Sequence, residues 1–119
     1  MLKPGGLAVF MDVVTPGSPL LDTWLQSVEL LRDPSHVRNY SLMEWQEMLR
    51  EAGFHPGEVS SFKLRLEFAS WIQRMNTAEV HVQAILSLQA RAAAEVAKHF
   101  SVESDGSFTV DSMLIRAEG

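Results

Sequence analysis

The residues best suited to chemistry cluster after an apolar segment near the start of the chain. His36 lies in a polar connector, Asp33-Pro34-Ser35-His36-Val37-Arg38-Asn39-Tyr40. An imidazole exchanges protons near neutral pH, so His36 is the leading candidate for a general base; the alternative is a solvent-exposed loop histidine. Arg38 is positioned either to bind an acidic group or to pair with Asp33. Tyr40 either closes a pocket or staples the helix that follows it. Asp12 falls near the end of the apolar segment Leu7–Val14. If that segment is a strand of an open α/β sheet, its carboxyl end faces the ligand crevice, and Asp12 becomes a substrate-facing carboxylate. The other reading is a bond from Asp12 to the Thr15–Ser18 loop. His55, His81 and His99 are weaker candidates, and the last two lie too far apart on a helix to share a metal ion. No metal site is expected.

Composition bounds what the chain can be. It has 119 residues, 46% of them hydrophobic, enough for one domain with a core. A net charge of −5 offers no basic run for phosphate, so nucleic acid is not an expected partner. With 0 cysteines there is no disulfide or thiolate chemistry. No apolar run approaches the length that spans a bilayer, so a soluble, cytoplasmic protein is expected.

The elements that must position these residues follow in order. Pro4-Gly5-Gly6 reads as a tight turn into a strand from Leu7 to Val14, apolar enough to be buried on both faces. Ser18 and Pro19 open a helix whose stripe is Leu21, Trp24, Leu25, Val28 and Leu31, with Asp22, Gln26 and Glu29 away from it. It ends near Arg32, before Pro34. Ser41 and Glu44 spell a capping box for a second helix with an apolar face of Trp45, Met48, Leu49 and Ala52. Gly53 fits its left-handed stop, with Phe54 folding back on Leu49. Pro56-Gly57 is read as a turn. Phe62, Leu64, Leu66 and Phe68 alternate with polar residues, which predicts a strand with one buried face near a sheet edge. Phe68, Trp71, Ile72 and Met75 then switch to helical spacing. Asn76 with Glu79 suggests a cap for one long helix over 77–99. Asp105-Gly106 is a turn, and the last strand covers Ser107–Ala117.

Leu2-Lys3-Pro4-Gly5-Gly6 followed by an apolar strand resembles the entry into the fifth strand of class I S-adenosylmethionine-dependent methyltransferases. Leu42 to Phe54, a Leu-x-Glu-Trp…Ala-Gly-Phe segment, is similar to the helix before that family's sixth strand. The Asp-x-Ser-His-x-Arg pattern of the connector is similar to one that faces substrate in members of the family. The resemblance runs along the whole chain but matches only the C-terminal, substrate-side half of the family fold. It implies a partial Rossmann-like α/β fold with a three-stranded mixed sheet, ordered first-last-middle, and three to four helices. The span 77–99 would be an insertion. It also implies methyl transfer from S-adenosyl-L-methionine to a small molecule in the full-length enzyme, with His36 as base and Asp12, Arg38 and Tyr40 near the acceptor. The glycine-rich cofactor loop is absent from this sequence, so the chain alone is expected to be inactive and to bind no cofactor. The exposed edge of the first strand suggests a homodimer, or a non-catalytic partner-binding module, as the alternative reading.

Overall fold

A computed structural model describes residues 6–119. The turn residues Leu2–Gly5 lie outside the described residues, and the strand they lead into is present. Three strands, β1 (Leu7–Val14), β2 (His55–Leu66) and β3 (Phe108–Glu118), form one sheet in the order β1-β3-β2. This is the expected first-last-middle order. β3 runs antiparallel to both neighbours, so the sheet is antiparallel and not mixed as expected, while β1 and β2 point the same way across β3. Their carboxyl ends therefore share one edge of the sheet, and that edge positions the site.

Among the described residues five helices accompany the sheet, one more than the upper expectation. α1 (Pro19–Arg32), α3 (Phe68–Arg74), α4 (Glu79–Ala90) and α5 (Ala94–His99) supply the larger core, packing with Leu66, Phe108 and Val110. α2 (Leu42–Glu51) covers the other face, where Leu49 meets Met113, Ile115 and Ala117. Strand alternation explains the division. Successive side chains of β3 point to opposite faces, so Phe108 and Val110 enter one core and Met113 and Ile115 the other.

The α2 boundaries follow the local chemistry of the sequence. Ser41 Oγ accepts from the Glu44 N–H at 3.2 Å, and Glu44 Oε1 accepts from the Ser41 N–H at 3.0 Å. Gly53 takes φ +91°, and the Phe54 N–H donates to the Leu49 carbonyl at 2.8 Å, closing the helix as a Schellman turn.

Several expectations are corrected. β1 is not buried on both faces: Leu7, Val9 and Met11 are 57%, 55% and 68% exposed, because the helices cover that face only at its carboxyl end. Ser18 precedes α1 in extended geometry but makes no side-chain cap. Pro56-Gly57 does not turn the chain. It lies within β2, where the register shifts between Pro56 and Val59, a bulge on an edge strand that tolerates the missing proline N–H. Asn76 does not cap the next helix. It takes φ +48° and closes α3, with the Thr77 N–H donating to the Ile72 carbonyl at 3.1 Å.

The long helix over 77–99 is two helices, α4 and α5, separated at Arg91–Ala93. The break reorients α5. Phe100, just beyond it, then stacks on Trp24 with ring centroids 5.0 Å apart. The Phe100 carbonyl also accepts from the Thr109 N–H at 2.7 Å. Tertiary packing thus overrides the helix preference of an alanine-rich run.

Candidate functional site

A cavity of about 260 Å³ opens at the shared carboxyl edge of β1 and β2. Its strand residues are Asp12 and Val13 from β1 and Leu64 and Leu66 from β2. The C-terminal part of α1 contributes Glu29 and Arg32, the connector contributes His36, and α3 contributes Trp71 and Arg74. This is the location at which open α/β folds bind ligands. One wall is apolar, and the other carries two carboxylates, two arginines and a histidine.

The connector is built to hold His36. Asp33 ends α1 in extended geometry, and its Oδ1 accepts from the Ser35 N–H at 3.0 Å and the Ser35 hydroxyl at 2.7 Å. Those bonds hold the Asp33 carboxyl below the usual range. The turn brings the His36 N–H within 2.9 Å of the Asp33 carbonyl. The imidazole is partly buried, with Nε2 3.2 Å from Gln26 Oε1. Burial pushes its pKa down; Asp33 opposes this and Arg32 adds to it, so the ring is neutral at pH 7.

Glu29 and Arg32 stand beside it. The sequence places Glu29 away from the apolar stripe, but it is only 8% exposed. Burial pushes its carboxyl up, with Arg32 opposing and the nearby Asp12 and Asp33 reinforcing. The signal for it is present in the spacing: Glu29 is four residues after Leu25 and three before Arg32. Arg32 is held from three sides. Its Nε donates to the Trp71 carbonyl at 2.7 Å, its guanidinium sits 4.9 Å from the centre of the Trp71 ring, and Nη1 lies 3.9 Å from Glu29 Oε2. Burial lowers its pKa, but a guanidinium stays charged.

The four residues singled out from sequence do not converge. Asp12 and His36 line the same cavity. The Asp12 carboxyl bonds to the neighbouring Val13 N–H at 2.7 Å rather than to the Thr15–Ser18 loop. Arg38 lies elsewhere, in a broad groove with Thr15, Met43 and Arg50. It pairs with Asp22 at 3.7 Å and Glu44 at 3.6 Å, not with Asp33. Tyr40 staples: its ring meets Trp45 edge-on at 6.4 Å, and its carbonyl accepts from the Thr15 N–H at 3.0 Å.

The loop after β1, Thr15-Pro16-Gly17-Ser18-Pro19, has one glycine and two prolines, and a proline has no backbone N–H to donate. Among the described residues no helix is long and apolar enough to cross a membrane.

No family model matches the chain. Among curated proteins, it is 47% identical over 98% of its length to the uncharacterized protein YafE of Escherichia coli, of which it spans 56%. It is 36% identical over 65% of its length to the uncharacterized methyltransferase YcgJ of Bacillus subtilis, of which it spans 30%. Two crystal structures superpose on 98% of the chain. A candidate methyltransferase of Bacillus halodurans does so with TM-score 0.89 and 31% identity, and YcgJ with TM-score 0.88 and 30% identity. The chain covers 57% and 52% of those two proteins. The chain is thus similar, in sequence and in fold and over nearly all its length, to about half of a methyltransferase.

Proposed function

We propose that the chain is the C-terminal, acceptor-side half of a cytoplasmic S-adenosylmethionine-dependent methyltransferase acting on a small molecule. The observation that carries this reading is the placement of His36 and Asp12 on one cavity at the carboxyl edge of β1 and β2, in a chain that resembles half of a methyltransferase. When bound, the cofactor supplies an electrophilic methyl group, and the region of the relatives that this chain does not span would hold it. The residues here have the acceptor's tasks. Leu64, Leu66, Val13 and Trp71 take up an apolar body and exclude water. His36, neutral at pH 7, takes a proton from the acceptor's hydroxyl or amine. Arg32, fixed on Trp71, stabilises the negative charge that proton loss leaves behind.

Two measurements test this. Titration calorimetry of the isolated chain gives no heat with micromolar S-adenosylmethionine; a clear heat of binding overturns the division between halves. In the full-length context, with methyl transfer followed by radiolabel, His36→Asn lowers turnover about 10²–10⁴-fold, the usual contribution of a positioned base. Unchanged turnover overturns the role of His36.

A second reading is favoured by the exposed strip Leu7, Val9 and Met11 on a β1 whose only neighbour among the described residues is β3. A free strand edge pairs readily with another chain. Two copies related by a two-fold axis perpendicular to the sheet would join β1 to β1 and place both strips on one face. Light scattering that gives a monomer at high concentration overturns this reading, and Val9→Lys, by the same measurement, dissociates the dimer it requires.

A further inference from the structure

We infer that Gln26 is a positioning residue: its amide fixes the imidazole of His36 as the Nε2–H form and leaves Nδ1 as the nitrogen that receives the acceptor's proton. The last clause rests on the acceptor-side role proposed above; the tautomer itself does not.

The orientation of the Gln26 amide is set by groups that allow no ambiguity. The backbone N–H of Asn39 must donate, and it lies 3.0 Å from Gln26 Oε1. The backbone carbonyl of Asn39 must accept, and it lies 3.0 Å from Gln26 Nε2. Asp22 Oδ1 also accepts from Nε2, at 2.9 Å. Asp22 is ionised at neutral pH: burial opposes this, but bonds from Thr15 and Gln26 and the charge of Arg38 hold its carboxyl below the usual range. Flipping the amide would oppose like groups at all three contacts, so Oε1 is the acceptor that faces the histidine.

The consequence for His36 is direct. Its Nε2 lies 3.2 Å from an oxygen that can only accept, so Nε2 carries the hydrogen. Nδ1 has no hydrogen-bond partner among the described residues, and in the neutral ring it holds the lone pair. Proton transfer then balances simply. The acceptor's O–H or N–H bond breaks, an Nδ1–H bond forms, the acceptor keeps the electron pair, and the Nε2–H bond to Gln26 stays intact. The positive ring that results is surrounded by charges from every packed element: Asp33 on the connector, Glu29 and Arg32 on α1, Asp12 on β1 and Arg74 on α3. None of these touches the ring through a hydrogen bond, so the tautomer falls to Gln26 alone.

Long-range proton–nitrogen NMR on the histidine-labelled chain tests this without any turnover. Above its titration midpoint, wild-type His36 should show a protonated Nε2 and a bare Nδ1. Gln26→Leu, similar in size but without an acceptor, should convert this signal to a mixture with the Nδ1–H form. An Nδ1–H tautomer in the wild type overturns the inference, as does a folded Gln26→Leu chain that retains a pure Nε2–H signal. If Gln26→Leu unfolds, as circular dichroism would reveal, the wild-type tautomer alone decides. Should His36→Asn leave methyl transfer intact, the acceptor-side reading fails while the tautomer result stands, so the two failures are told apart.

Discussion

Two glycines with nearly the same backbone angle separate strain from crowding. Gly53 has φ +91° and Gly106 has φ +94°. A Cβ added at Gly53 meets nothing within 4 Å. At Gly106 it would lie 2.9 Å from two ring carbons of Phe68 and 3.1 Å from Gln89 Oε1. Neither neighbour yields easily. Phe68 is buried and its N–H donates to Ser107 Oγ at 3.0 Å, while Gln89 Nε2 donates to the Gly106 carbonyl at 2.8 Å. Gly53→Ala should therefore cost only the left-handed backbone term, about 1–2 kcal/mol. Gly106→Ala should add overpacking of about 1–3 kcal/mol, for a total of about 2–5 kcal/mol. Urea unfolding followed by tryptophan fluorescence reads both values, with an unchanged m-value as the sign that only stability moved. Equal losses for the two variants would refute the reasoning, because they would mean that Phe68 and Gln89 move aside freely. The result also matters for the cavity, since the same clamp seats α3, which carries Trp71 and Arg74.

Further outcomes follow from single contacts. Ser41→Ala removes one half of the α2 capping box and should lower stability by about 1 kcal/mol, measured by chemical unfolding. Glu29→Gln has a pH-dependent effect whose sign comes from burial. A carboxyl whose folded pKa is raised favours the folded state at pH below its unfolded value of 4.5, and that benefit is lost as pH rises through the folded value. The variant should therefore gain stability relative to wild type as pH is raised from about 4 to neutrality; thermal unfolding at a series of pH values checks it, and a variant that loses stability relative to wild type over that range refutes it.

What could be read from sequence was largely what is local. The α2 stop needs only Gly53 and Phe54, and its start needs only Ser41 and Glu44. The order of the sheet was legible through resemblance, since no spacing in the chain says that β3 lies between β1 and β2. The break between α4 and α5 was not legible, for a physical reason. Ile85, Gln89, Ala92 and Val96 continue one helical stripe without interruption. Only the positions of Trp24 and Thr109, remote in sequence, demand the bend. Exposure of β1 was hidden in the same way, because an apolar run does not state how much helix will cover it. In the site, His36 and Asp12 were recognisable by type and place. Arg38 was misdirected because its partners, Asp22 and Glu44, reach it from two different helices. Glu29 and Gln26 were missed since a helix position says little about which polar side chain the packing will enclose.

The central place of β3 has a consequence for how the chain acquires its structure. Leu7 pairs with Glu118 at one end of the β1 ladder, and Val14 pairs with Asp111 at the other. Those partners are 111 and 97 positions apart in sequence (118 − 7 and 111 − 14). During synthesis β1 is made before β3, its one partner among the described residues. Closing so long a loop is entropically costly before any contact repays it, and folds dominated by such pairings form slowly. Helices α1 and α2 can form while β1 waits, but neither ladder can. For that interval the edge of β1 that β3 will cover lacks this partner, and an unpaired strand edge makes newly made chains more prone to aggregate than finished ones.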